Sequence, residues 1–249
     1  MSHLEPVVLP IALGIIAVLY ACVGQAGGTG YIAVMGLAGL TPETIKPTAL
    51  ALNILVAGIG AVRFAKVGML TWQSCYPFAI LGAPFSVIGG ATNLPPSVFQ
   101  PVVGAMLLLA AWQMAQSARS AGERDRDAPV NPPFLPALAA GAVIGFVSGV
   151  TGVGGGIFLA PLVLAFGWAD TRQTAAVSAV FNLLNSAAAL AGAWATLPVL
   201  PEALPWWLVA VGMGGLFGSW VGARRLPATA LRYILAGLLL AAGLRMMFS

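Results

Sequence analysis

Charge is scarce in this chain of 249 residues: charged residues make up 7% of it, with eleven Lys or Arg and seven Asp or Glu. Soluble globular domains carry about 25%. Apolar residues take that room, at 59%, which leaves too little polar surface for an ordinary soluble fold. Histidine is nearly absent: the single one is His3, near the N terminus. Neither a histidine-based protease nor a histidine metal site is therefore available, and no catalytic residue, metal or cofactor is expected. Two cysteines, Cys22 and Cys75, make no disulfide framework and have no metal-ligand company nearby, so they read as small apolar packers. The opening MSHLEPVV lacks the basic stretch of a cleaved signal peptide. Carboxylates are missing from the middle of every apolar run, where cation pathways and proton relays place them.

What is present is a succession of apolar runs, near 6–23, 28–40, 44–62, 72–92 and 97–116, then 134–150, 154–167, 171–195, 204–223 and 229–248. About 20 apolar residues cross a bilayer. The runs do not alternate, which excludes an outer-membrane barrel and predicts an all-α polytopic membrane protein. Thr41-Pro42-Glu43 reads as an N-cap, a first-turn proline and an early acid, and Asp170-Thr171 caps the matching helix. One strongly polar stretch, RSAGERDRDAPVNPP, divides the chain into a first transmembrane repeat (1–118), a linker (119–133) and a second repeat (134–249).

The two halves resemble each other. Each carries a glycine-rich string between apolar runs, GQAGGTGYIAVMG from Gly24 and VTGVGGGIFLAPL from Val150. Matching letters pair Gly28 with Gly154, Gly30 with Gly156, Lys46 with Arg172 and Thr48 with Thr174, and LLLAA recurs at Leu107 and Leu238. A duplicated chain with broken helices at matching positions is the signature of a secondary transporter. The segments after the glycines, 28–40 and 154–167, are too short to cross a core of about 30 Å comfortably. The first two segments of each half therefore form either a glycine-tipped re-entrant hairpin or a tight crossing pair. Both arrangements give each half of about five segments an odd number of crossings, which inverts the second repeat. The inverted arrangement leaves only Lys46 and Arg245 on one face and the other nine of the eleven basic residues on the opposite one. That face, with the 119–133 linker, is the cytoplasmic one, and both termini lie outside the cytoplasm.

The tips carry the candidate chemistry. Segments that begin there offer unpaired backbone N–H groups and the positive end of a helix dipole. Two converging tips would cradle an anion without a buried basic side chain. The candidate substrate-binding residues are Gln25, Gly27, Gly28, Thr29 and Gly30 at the first tip, and Thr151, Gly152, Gly154, Gly155 and Gly156 at the second. Asn53 and Asn182, paired across a three-residue gap, complete the set. These amides and hydroxyls either bind the anion or serve as interhelical glue, and for Ser178 and Asn185 glue is at least as good a reading. Gly82, Gly89, Gly90, Gly214, Gly215 and Gly218 are expected to permit close helix packing. Lys46 and Arg172 read either as attractors of anions or as helix-end anchors, Arg63 and Lys66 as orientation charges only. The glycine strings are not nucleotide loops, for no strand precedes them and no Lys-Ser/Thr follows.

The string SGVTGVGGGIFLAPLVL, followed by ADTRQTAAVSAVFNLLNS, resembles the glycine-rich block of the TauE/SafE family of sulfite and organosulfonate exporters. GLTPETIKPTALALNILVAGIGAVRF is similar to that family's first repeat. The resemblance covers nearly the whole chain and implies an inner-membrane permease for small anions such as sulfite or sulfoacetate. The first tip departs from the fuller glycine pattern by placing Thr29 between glycines, at the point where selectivity is expected to reside. The expected partners are a small anionic substrate and the lipid bilayer, with a homodimer left open and no nucleic acid. Uptake instead of export, another small anion, a neutral solute and an accessory membrane subunit remain alternatives.

Overall fold

Each of the ten apolar runs folds into an α-helix, and the described residues contain no strand. Helices satisfy every backbone donor and acceptor locally, which is what a solvent without water demands. The computed structural model describes residues 5–70, 72–119, 132–195, 200–222 and 228–248. Most of the polar linker, the segment with Arg224 and Arg225, and His3 lie outside the described residues. The first half comprises α1 (Glu5–Cys22), α2 (Gly28–Leu37), α3 (Pro42–Lys66), α4 (Trp72–Ala91) and α5 (Pro96–Arg119). The second comprises α6 (Phe134–Thr151), α7 (Gly156–Ala165), α8 (Thr171–Trp194), α9 (Leu204–Gly222) and α10 (Ala228–Met247). Seven of these are long and apolar enough to cross a membrane. Helices α2 and α7, at ten residues each, reach only about 15 Å at 1.5 Å per residue.

Local signals place the ends. The Asp170 carboxylate accepts the Gln173 N–H at 2.7 Å, a true N-cap. Thr41 stands at the N-cap of α3 with Pro42 behind it, but its hydroxyl meets that of Thr44 at 3.3 Å and caps no backbone group. Helix α1 stops in a Schellman turn: the Gln25 N–H reaches the Tyr20 carbonyl at 2.9 Å, the Gly24 N–H reaches that of Ala21 at 3.2 Å, and Gly24 sits at φ 79°.

The helices pair across the halves: α1 lies along α9, α4 along α6, α5 along α10, and α3 against α8. Glycines draw the backbones together. Gly141 and Gly145 abut the carbonyls of Phe78 and Gly82, and Gly149 that of Ser86, so α4 and α6 run parallel. Gly214 abuts the Gly14 carbonyl and Gly218 that of Val18, so α1 and α9 also run parallel. Asn53 bonds Ser186 while Gly60 faces Ala179, which makes α3 and α8 antiparallel. The same holds for α5 and α10, where Gly104 meets Gly243 and the Arg232 guanidinium donates to the Ser117 carbonyl at 2.9 Å. Large apolar side chains such as Leu135, Trp206 and Met213 point outward, as a lipid-facing surface requires.

Helix ends align the halves differently from the letters. Helices α2 and α7 have equal length, left-handed N-cap glycines at Gly27 and Gly155, and left-handed glycines just past their ends at Gly39 and Gly167. Matched by these helix ends, Gly28 stands opposite Gly156 instead of Gly154. Setting N-cap Thr41 against N-cap Asp170 brings Asn53 opposite Asn182 and Lys46 opposite Ala175, not Arg172. Letters and helix ends give different registers because glycine recurs throughout the tips for several unrelated steric reasons, whereas caps mark points of backbone geometry.

Candidate functional site

Asn53 and Asn182 stand near the middle of α3 and α8, helices of 25 and 24 residues. Facing amides in a water-poor interior must satisfy each other. Asn53 Nδ2 donates to Asn182 Oδ1 at 2.9 Å and to Ser186 Oγ at 2.8 Å, and Asn182 Nδ2 reaches back to Asn53 Oδ1 at 3.4 Å. The two glycine tips close on this knot. Gly154, at φ 87°, lies directly on the two amides and on Ser186, so no side chain fits there. Gly28 presses against the Val153 carbonyl, and the first tip thereby touches the second.

On one side of the joined tips lies a cavity of about 480 Å³. It runs to the face where α3 ends, with Arg63, Val67 and Met69 at its rim and Arg232 across from them. Its inner end is formed by the first tip from Gly24 to Thr29, by Gly156 of α7, and by Ser178 and Asn182 of α8. The walls between are mostly apolar, including Val56, Ile59, Phe64, Ile157 and Leu164. Among the described residues, Gln25 Oε1 and Ser178 Oγ are buried there without a hydrogen-bond partner. A polar group left this way costs about 1–3 kcal/mol, and both residues border the cavity. The first N–H groups of α2 and α7 lack intrahelical partners, and neither helix has a side-chain cap. The inner end thus joins helix-dipole ends, amides and a hydroxyl, with cations held at the rim: a set suited to an anion.

Half of the expected residues meet in this cavity: Gln25, Gly27, Gly28, Thr29, Gly156 and Asn182. The Thr29 hydroxyl is already engaged by the Tyr20 hydroxyl at 2.7 Å. Asn53 and Gly154 lie in the knot behind the cavity, and Gly30 packs on Ile16 and Tyr20. The remainder of the second tip turns away. Thr151 donates to its own helix at the Val147 carbonyl, at 2.8 Å, Gly152 rests on Lys46, and Gly155 packs among Ile144, Ser148 and Phe181.

Lys46 is no free attractor: it is 5% exposed and donates to the carbonyls of Gly89, Gly90 and Thr92 at 3.1, 2.8 and 2.8 Å, capping the end of α4. Arg63, expected to set orientation only, lines the cavity. Sequence reasoning misses Tyr20, though an aromatic hydroxyl one turn before a glycine tip is a usable signal. Ser186 could have been found through the Asn53–Asn182 correspondence, which sets it opposite Ala57.

Compared with known proteins, the chain matches the sulfite exporter TauE/SafE family over residues 9–246. It is 52% identical over 244 residues to a probable membrane transporter protein of Sinorhizobium fredii, a match that covers 98% of this chain and 99% of that one. It is 28% identical over 123 residues to a probable membrane transporter protein of Methanocaldococcus jannaschii, covering 48% of this chain and 44% of that one. No solved structure matches it.

Proposed function

The chain belongs to the sulfite exporter TauE/SafE family, and from that footing we propose that it is a secondary transporter of small sulfur-containing anions in the cytoplasmic membrane. Sulfite and sulfoacetate are the intended class, carried by alternating access. The observation that carries this reading is the cavity itself. It is open towards the face of Arg63 and ends at joined tips where Gly28 meets Val153, so a solute can enter from one side and is stopped near the middle of α3 and α8.

The halves are read as inverted repeats. Support comes from the matched pairs α3/α8 and α5/α10, each of which runs antiparallel. Helices α2 and α7 are read as re-entrant because ten residues are too few to cross. The excess of basic residues makes the open face cytoplasmic. Reporter fusions then place the 119–133 linker in the cytoplasm and Ser249 outside. A cytoplasmic C terminus would contradict the inverted arrangement.

The apolar walls favour an anion with an organic part over bare sulfite. Val56, Ile59 and Leu164 offer contact area but no hydrogen bonds, while polar groups lie at the inner end and again towards the rim. Flux of labelled sulfite and sulfoacetate in proteoliposomes tests this. Saturable transport of either supports the assignment, and transport of neither, with another anion carried, removes it.

A further inference from the structure

A close backbone seam between α4 and α8 also strands a polar side chain. Gly90 lies on the Ala189 carbonyl and Gly192 on the Val87 carbonyl, so α4 and α8 touch backbone to backbone. In this seam Asn185 is fully buried, and among the described residues neither its Nδ2 nor its Oδ1 has a partner. A native interior rarely leaves a whole amide unpaired, and such a group needs a reason. At the end of the seam Lys46 is folded onto the last carbonyls of α4.

The alignment set by the helix ends supplies the reason. With Asn53 opposite Asn182, Asn185 falls opposite Val56, Ser186 opposite Ala57, Gly192 opposite Arg63, and Lys46 opposite Ala175. Val56, Ala57, Arg63 and Ala175 all line the open cavity. The tips repeat the contrast. Gly152 is packed against Lys46, while its counterpart Gly24, which lines the same cavity as Ala175, has nothing within 4 Å of an added Cβ. Residues that occupy a dry seam in one half thus have counterparts on an open wall in the other.

We propose that the seam is a second anion vestibule, closed in this structure, which opens on the face opposite Arg63 with Asn185 and Ser186 on its wall and the Lys46 ammonium as its cation. This rests on reading the halves as inverted repeats. While the seam is closed, the α4 carbonyls act as the counter-charge of Lys46, since a helix C-terminus is the negative end of its dipole. Parting α4 from α8 exposes the ammonium beside the second tip, and a small oxyanion takes the place of the carbonyls. The Asn185 amide, unpartnered in the seam, then donates to that anion or to the water around it.

Single cysteines at Asn185, at Ala189 and, for the open cavity, at Ile59 test the proposal in a Cys22→Ser, Cys75→Ser background. Anionic and cationic methanethiosulfonates are applied to each face of sealed vesicles in turn. Ile59→Cys reacts from the face of Arg63, and Asn185→Cys and Ala189→Cys react from the opposite face. There the anionic reagent outpaces the cationic one by about tenfold after correction for free-thiol rates, and Lys46→Gln removes the bias. Labelling of Ile59→Cys, with neither seam position reacting from either face, overturns the second vestibule and leaves the inverted repeat standing. Reaction of all three from one face overturns the inverted repeat as well. Reaction from the opposite face with a bias unchanged in Lys46→Gln removes Lys46 from the site. Ala189→Cys decides the matter should Asn185→Cys fail to fold.

Discussion

The first tip, Gly24 to Gly27, and the second, Gly152 to Gly155, are built from similar residues and do opposite things. At Gly24, with φ 79°, an added methyl would meet nothing within 4 Å, and Gln25 beside it faces the cavity. Gly154 at φ 87° sits on Asn53, Asn182 and Ser186, and Gly152 and Gly155 are enclosed as well. One tip borders the open cavity, whereas the other is wedged between α3 and α8. Glycine in a duplicated motif is thus required for two separate reasons, backbone conformation at both Gly24 and Gly154 and lack of volume at Gly154 but not at Gly24.

The sharpest way to break that contrast is one substitution made at both tips. Asparagine tolerates the left-handed conformation better than other side chains, so Gly24→Asn and Gly154→Asn carry a similar backbone cost. Gly154→Asn should abolish transport and lower the melting temperature in detergent, whereas Gly24→Asn should retain both. Equal damage at the two positions would show that conformation alone matters. Asn53→Ala comes next. It leaves Asn182 and Ser186 without their shared donor, and the expected loss is about 1–3 kcal/mol of stability, read by denaturant unfolding. A double-mutant cycle with Asn182→Ala should return a coupling of at least about 0.5 kcal/mol, as residues of one network do.

A smaller effect separates the two threonines. Thr29→Val removes the bond to Tyr20 at the cavity and should cost about 0.5–1.5 kcal/mol in transport or stability. Thr151→Val gives up only a bond to its own helix and should cost less. The reverse order would move the ligand to the second tip. The smallest change is expected at the rim. Arg63 is exposed, and salt screens such a charge over about 8 Å at physiological ionic strength. Arg63→Gln should raise the apparent KM less than tenfold, which is about 1.4 kcal/mol, and high salt should shrink the difference further.

Much of this is legible in the residues. All ten helices lie where the apolar runs place them, since a helix buried in lipid depends on local hydropathy and on bonds within one segment. Asp170 caps its helix as its position indicates. At the site, the first tip and Asn182 do border a cavity, as their residue types suggest. Thr151 and Gly152 join the expected set as parts of the second glycine tip, and the letters carry no mark of which face of a tip a neighbouring helix covers. Lys46 is the least legible residue, because its partners are carbonyls 43 to 46 positions away. A lysine near a helix start carries no mark of the distant helix end that it caps.

By itself the sequence determined the membrane class, the number and span of the helices, the existence of two glycine tips and the near absence of buried charge. Each of these follows from composition or from interactions only a few residues apart. Tertiary structure alone decided the pairing of helices between the halves, the choice of which tip faces the cavity, the capping of α4 by Lys46, and the seam that strands Asn185. These depend on contacts between distant segments, such as Gly90 with Ala189 and Gly28 with Val153. Two halves with nearly the same local pattern can differ in such contacts because side-chain volume at a few positions decides which pair of helices closes. That selection is made only when the whole bundle packs.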